Sequence, residues 1–230
     1  MASIIPWSFS TWSAYQTCAR QFYELRIAKN YKEKDSPQII WGNTVHKALE
    51  DKVKENKPVP DSMKHMEPIV QRILNAPGEN HAEMELACDA QLRPTGFWDK
   101  DTWARGKGDL IKLNGSKGAA FDWKTGKRKP NSQQLDLMAI LSFAKFPQLI
   151  EMYTCFVWFQ EPSKPTIAHY HRDRVPKLLE QFMPGVDDML WSESEDVWPA
   201  KPSGLCRPNP KTGFPGCPVV SCEHNGRNKR

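Results

Sequence analysis

Asp109, Asp122 and Lys124 are the residues whose types and spacing could do chemistry. Asp122 and Lys124 are two apart, so on a strand they share a face, and Phe121 and Trp123 point the other way into a core. Asn114-Gly115 lies between the two aspartates and is a strong hairpin-turn signal. Leu110, Ile111 and Leu113 precede it, and Ala119, Ala120 and Phe121 follow it. If Asn114-Gly115 is the loop, Asp109 lies opposite Ala120 and Asp122 is its diagonal neighbour. If the loop runs from Asn114 to Lys117, Asp109 faces Asp122 directly. Both registers place the two acids on one face. Two packed carboxylates repel unless a cation lies between them. An oxygen-rich pair of this kind suits Mg²⁺ or Mn²⁺.

The elements that must hold these side chains follow from capping and periodicity. Ser8 or Ser10 can cap a helix to about Lys29, and Thr44 to about Asn56 reads as a second helix ending before Pro58. A third is expected from Ser62 to Asn75, disturbed by Pro68. Glu83 to Ala90 alternates, with Met84, Leu86, Cys88 and Ala90 on one face and Glu83, Glu85 and Asp89 on the other. The hairpin comes next. Pro130-Asn131-Ser132 introduces a helix to about Phe146, strands are expected over Ile150 to Phe159 and Thr166 to His171, and a last helix over Val175 to Trp191. This order predicts an α/β fold, a mixed central sheet flanked by helices. The expected organisation is a single domain over 1–230: an N-terminal helix in 1–40, a core over 41–175, and a C-terminal helix with a Cys-rich cap over 176–230.

The chain has 230 residues, 39% of them hydrophobic, with nine Trp and ten Phe, enough for a packed core. Its net charge of +5 is a mild excess compatible with a polyanionic partner. Lys127, Arg128 and Lys129 directly follow the Asp-x-Lys segment and are placed to hold phosphates; Arg227, Lys229 and Arg230 form a second basic run. No stretch approaches a membrane span, and the first residues lack the basic start and apolar run of a secretory signal. A cytoplasmic location is therefore expected. Six cysteines in a reducing compartment point to metal ligation or burial rather than disulfides. Cys88 and Cys155 fall in expected strands and read as small buried hydrophobes. Trp98, Trp103 and Trp123 could stack on unpaired bases, although core packing is the ordinary role of such rings.

Asp109 followed by Asp122-Trp123-Lys124, within Arg105-Gly106-Lys107-Gly108-Asp109 and Asp122-Trp123-Lys124-Thr125-Gly126-Lys127, resembles the PD-(D/E)XK nuclease superfamily, and in particular its RecB-type branch. The resemblance implies a restriction-endonuclease-like αβββαβ core, with the correspondence covering most of Trp41 to His171. Gly42-Asn43-Thr44-Val45-His46 is similar to that branch's Gly-x-x-x-His segment, which implies that His46 joins a metal held by Asp109, Asp122 and the Trp123 carbonyl. His46 sits about 60° around the helix from Leu49, at the border of the apolar stripe. Glu50, one turn on, is a supporting partner or an exposed residue. Glu83 and Glu85 are secondary candidates. Gln133-Gln134-Leu135 resembles the branch's glutamine motif, implying that Gln134 positions a water or a phosphate oxygen, or else caps its helix. Met138 stands where the branch usually has tyrosine.

One amino-terminal and three carboxy-terminal cysteines, Cys18, Cys206, Cys217 and Cys222, resemble the iron–sulphur staple of the branch. That implies a [4Fe–4S] cluster. Ten residues separate Cys206 from Cys217 and four separate Cys217 from Cys222, wider than the branch pattern, so zinc with His224 as an optional ligand, or no metal, stays open. The implied activity is metal-dependent phosphodiester hydrolysis by a deoxyribonuclease. An exonuclease acting on single-stranded DNA or DNA ends in recombination, repair, phage biology or CRISPR adaptation is expected, working beside a helicase, integrase or recombinase. The alternative is a catalytically silent DNA-binding scaffold within such a complex.

Overall fold

The computed structural model describes residues 5–33 and 35–227. The elements in chain order are α1 (Phe9–Thr17), α2 (Ala19–Phe22), α3 (Pro37–Glu55), α4 (Glu67–Asn75), β1 (Glu79–Cys88), β2 (Ala104–Asn114), β3 (Lys117–Lys124), α5 (Gln133–Lys145), β4 (Glu151–Trp158), β5 (Thr166–His171), α6 (Val175–Glu180) and α7 (Met183–Glu195). They form two compact units, one built on residues 35–181 and the other on residues 7–33 and 182–227.

The first unit is a five-stranded mixed sheet in the order β1-β2-β3-β4-β5. Neighbours are antiparallel except β3 and β4, which run parallel and are joined through α5. Parallel strands need such a crossover because a tight turn cannot reverse the chain twice. With α4 inserted after α3, the elements from α3 to β4 follow the αβββαβ order, with the mixed sheet expected from the sequence. The β2–β3 loop is Gly115-Ser116, with Gly115 at φ +60°, and Asn114 pairs with Lys117. The turn therefore sits one residue later than Asn114-Gly115, and the register is the one that brings Asp109 opposite Asp122.

The core on one face gathers Val45 and Leu49 from α3, Met63 and Met66 from the 3₁₀ turn Asp61–Met66, Val70 from α4, Leu110, Trp123, Cys155 and Val157. Each of the large members contributes about 1.5–3 kcal/mol by leaving water. Helix α5 packs on the sheet as well. A Cβ at Gly106 would come within 2.9 Å of Leu141 Cδ1, so a larger residue there would push the end of that side chain aside. Leu135 of α5 clusters with Phe156 and Trp158. The carbonyls at the C-terminal end of α5 are covered by Arg172, whose guanidinium donates to Phe143 O, Phe146 O and Leu149 O at 2.9, 2.6 and 2.6 Å.

In the second unit, Ser8 caps α1 in a reciprocal capping box with Thr11. The helix expected to reach Lys29 breaks at Cys18, whose backbone is extended at φ −167°, and resumes as α2 and a π-helical turn, Tyr23–Ile27. Tyr15 Oη lies 2.8 Å from Asp188 O, to which it donates, and 2.7 Å from Ser192 Oγ, so α1 is fastened to α7. The two helices cross at Gly185, where a Cβ would lie 2.5 Å from Trp12 Nε1.

Other boundaries differ from the sequence expectations for identifiable reasons. Helix α3 starts at Pro37 rather than Thr44, because Ser36 accepts from Ile39 N and proline suits a first helical turn. Pro68 sits in the first turn of α4 instead of interrupting a longer helix, and the segment before α4 is a 3₁₀ turn. Strand β1 begins earlier and ends at Cys88, with Ala90 in a turn. The expected helix from Val175 to Trp191 divides into α6 and α7 around Gln181 and Phe182. Lys229 and Arg230 lie outside the described residues.

Candidate active site

The sheet ladder is interrupted along one line across three strands. The β1–β2 pairing skips Glu83, which stands level with Asp109, and the β2–β3 pairing stops at Leu110 and Phe121, one step short of Asp109 and Asp122. The residue count is the same on both sides of the gap, so no extra residue causes it. Glu83 has φ +52°, a left-handed backbone that costs a non-glycine residue of order 1 kcal/mol or more and that clusters at functional sites. In place of the missing ladder bond, Trp123 N donates to Asp109 Oδ2 at 2.7 Å. Three carboxylates, Glu83, Asp109 and Asp122, thus occupy neighbouring positions on neighbouring strands.

Helix α3 adds an imidazole. His46 Nδ1 lies 3.2 Å from Asp109 Oδ1. One ligand atom each from His46, Glu83 and Asp109 falls within 4.8 Å of the others. Glu83 Oε2 also meets Lys107 Nζ at 2.9 Å. Burial opposes the charged form of His46, but its bond to Asp109 and the charges of Asp109, Asp122 and Glu83 outweigh that, and its pKa is raised.

Asp122 is buried, and both its oxygens are engaged. Lys124 Nζ is 2.8 Å from Oδ1, and Gln134 Nε2 donates to Oδ2 at 2.6 Å. Lys124 Nζ also donates to Gln134 Oε1 at 2.9 Å, closing a triangle of three side chains. The ammonium stands over the Phe156 ring, 4.6 Å from its centroid. Removal from water pushes the Asp122 carboxyl up to about 6, and neighbouring Asp109 adds to this, while Lys124 and His46 pull the other way. Gln134 is free to reach inward because Asn131 Oδ1 takes the first helical amide, accepting from Gln133 N at 2.8 Å.

Asp109, Asp122, Lys124, Gln134 and His46 are therefore brought together. Glu83, a secondary candidate in the sequence, joins them, whereas Glu85 is exposed. Glu50 pairs with Lys47 and Lys54 along the surface of α3. Lys127, Arg128 and Lys129 are exposed in the loop between β3 and α5. Met138 is buried, its Sδ facing Gly108. Trp123 is in the core, while Trp98 is exposed with the Arg105 guanidinium 4.4 Å over its ring. Phe156, which supports Lys124, was carried by no sequence signal beyond an apolar strand.

The second unit brings four thiols to one cleft. Cys18, Cys206, Cys217 and Cys222 line it together with Arg20, Lys201 and His224. Cys18 Sγ accepts from Lys201 N at 3.4 Å, Cys206 Sγ from Ser203 N at 3.4 Å, and Cys217 Sγ from Gln21 Nε2 at 3.5 Å. Burial raises the Cys217 thiol pKa, and the charges of Cys18, Cys206 and Cys222 add to the effect. Asn225 secures the loop by donating to Cys217 O and Val219 O. Cys88 and Cys155 are buried in the other unit, with thiols pushed up to about 12 and about 11 by burial.

A sheet whose strands part at a row of acids, beside an Asp-x-Lys strand and a helix-borne histidine, defines a nuclease-type α/β fold with a candidate hydrolytic centre. The sequence profile of the PD-(D/E)XK nuclease superfamily matches residues 6–170, and the chain belongs to that superfamily. Among solved structures, a chain described as a "Putative exonuclease" from Eubacterium rectale is similar over 85% of this chain and 84% of its own, with 11% identity and a TM-score of 0.53, a likeness of fold. Another, SSO0001, covers 75% of this chain and 74% of its own at 15% identity, with a TM-score of 0.37. No curated protein matches the sequence.

Proposed function

We propose that this protein is a divalent-metal-dependent deoxyribonuclease, an exonuclease acting on single-stranded DNA or DNA ends. The observation that carries this reading is the convergence of Glu83, Asp109, Asp122 and His46 with Lys124 at the interrupted ladder. Carboxylate oxygens with one imidazole, drawn together and partly neutralised by Lys107 and Lys124, are a donor set that fits Mg²⁺ or Mn²⁺. Asp109, His46, Asp122 and the Trp123 carbonyl would hold the ion, with Glu83 as a further ligand. When bound, such an ion makes a coordinated water more acidic and offsets charge on the scissile phosphate.

The side chains have separate tasks. Lys124 Nζ orients the attacking water and donates to the phosphoryl oxygens as negative charge accumulates. Gln134 fixes both Lys124 and Asp122, so that the amine keeps one position. Lys127, Arg128 and Lys129 grip backbone phosphates next to the site. Burying Asp122 raises its pKa and so weakens the fold at neutral pH. A scaffold would have no reason to retain that cost, which favours the enzyme over a silent DNA-binding subunit.

The thiol cleft fits a thiolate-ligated group: four cysteines line it, and the sulphurs of Cys18, Cys206 and Cys217 accept N–H donors, as cluster sulphurs do. Cys18, Cys206, Cys217 and Cys222 would hold a [4Fe–4S] cluster, or zinc in its absence. Six free cysteines suit a reducing cytoplasmic setting. No helix among the described residues is long and apolar enough to cross a membrane. A helicase, integrase or recombinase partner would deliver the DNA end, with the chain acting as one nuclease domain.

The test is a time course on end-labelled linear and circular DNA with Mg²⁺, Mn²⁺ or EDTA. Stepwise shortening of linear strands that stops in EDTA is the expected result. Binding without cleavage under every metal condition would overturn the proposal.

A further inference from the structure

The other end of the sheet carries a second group of metal-binding side chains. Glu151 opens β4, while His169 and His171 lie on the edge strand β5. Register pairs Glu151 with His171 and Tyr153 with His169. Side-chain alternation sets all four on one face of the sheet, and Met152 and Tyr170 between them are buried. One ligand atom each from Glu151, His169 and His171 lies within 4.8 Å of the others. His169 Nε2 is 3.2 Å from Glu151 Oε2, and the two imidazoles are 5.0 Å apart, centroid to centroid.

We propose that Glu151, His169 and His171 form a binding site for a divalent transition-metal ion of the Zn²⁺ class. Two imidazoles and one carboxylate are the ligands such ions prefer, whereas Mg²⁺ takes oxygen donors and water. Metal bonds of about 2.0–2.1 Å in a tetrahedral arrangement place adjacent ligand atoms about 3.4 Å apart. The His169–Glu151 separation already matches, and the third ligand needs only a rotamer adjustment of an exposed side chain.

Two neighbours hold the ligands ready. Tyr153 stacks on His169 with centroids 4.2 Å apart and planes at 16°, which limits rotation of that ring. Lys117, opposite Glu151 on β3, holds Oε1 at 3.1 Å and leaves Oε2 turned to the histidine. Such outer contacts fix ligand orientation before any ion arrives. Because β4 and β5 are already hydrogen-bonded, ion binding would order side chains only. Three protein ligands leave a fourth position for water or for a donor from a partner molecule.

This site is separate from the proposed nuclease centre. Asp122 lies five residues along β3 from Lys117, about 16 Å at the rise of a strand. Its occupancy does not depend on DNA cleavage.

The test is a titration of the ¹⁵N-labelled full chain with Ni²⁺ as a paramagnetic probe, in excess Mg²⁺. Amide signals of 151–153 and 167–171 should broaden below one equivalent. Ni²⁺ taken up by the thiol cleft would broaden different amides, around 18 and 206–222, and is read separately. In a His169→Asn/His171→Asn variant the broadening on β4 and β5 should vanish while the rest of the spectrum and the melting temperature stay unchanged. Glu151→Gln should weaken it by roughly tenfold. Unbroadened β4–β5 amides at several equivalents, or equal broadening in the double variant, would overturn the proposal.

Discussion

The carboxylate site and the thiol cleft are built in opposite ways. Glu83, Asp109 and Asp122 sit on adjacent strands of one sheet, and hydrogen bonds from Trp123 N, Lys124 and Gln134 fix Asp109 and Asp122. Cys18 and the other three cleft thiols come from opposite ends of the sequence: Cys18 stands at a helix break, Cys206 ends the 3₁₀ turn Gly204–Cys206, and Cys217 and Cys222 lie in irregular chain. Backbone ladders position the first group. The second is positioned by weak N–H···S contacts and by loop hydrogen bonds such as those of Asn225. Regular structure preorganises a site, while irregular structure leaves part of that task to the ligand.

Substitutions at the two sites should therefore fail differently. Asp122→Ala and Lys124→Ala should each lower DNA cleavage by about 10²–10³-fold or more with an unchanged circular dichroism spectrum. Full Mg²⁺-dependent activity in either would end the assignment. Cys18→Ser should remove most of the iron and visible absorbance from an anaerobic preparation that otherwise holds about four irons per chain. It should also render residues 200–227 protease-sensitive while the sheet keeps its amide protection. An iron-free, colourless native protein would reduce the cleft to zinc or to bare thiols.

A pH experiment sharpens the contrast. With metal removed by EDTA, Asp122 has a folded pKa of about 6, above the ordinary carboxylate value near 4. Stability should then fall as pH rises between those two values and level off above the higher one, since the unfolded chain loses that proton first. The effect should be on the order of 1–3 kcal/mol in thermal melts, and Asp122→Asn should flatten it. The smallest effect concerns the remaining thiols. Cys88 and Cys155 should stay unmodified by iodoacetamide in the native protein and react on unfolding, because burial holds their thiols at about 12 and about 11. Mass spectrometry before and after denaturant reads this directly.

Much of the candidate site on the sheet is legible in the sequence because it lies on regular elements. Period-2 alternation and a glycine turn bring Asp109 to Asp122, and Asp-x-Lys needs only strand geometry. Glu83 and Glu85 could not be told apart, because the choice rests on the β1–β2 register and on a left-handed backbone at Glu83. The early start of α3 did have a signal, Ser36-Pro37, a cap followed by proline at the first turn. The break at Cys18 had none: Gln16-Thr17-Cys18-Ala19 contains no glycine or proline, and the extended residue is set by tertiary contacts such as Lys201 N on its sulphur. The Glu151, His169 and His171 group was invisible for a similar reason, since its members meet only through strand pairing.

The Asp109 carboxylate has one oxygen toward His46 and the other in the seam between β2 and β3. Shortening it to alanine takes away a proposed metal ligand and unzips the last rung of the hairpin at once, so a dead Asp109→Ala protein could not distinguish lost chemistry from a gaping seam. Asp109→Asn keeps a carbonyl oxygen for the Trp123 amide while discarding the charge, and it is the exchange that separates mortar from machinery at this position.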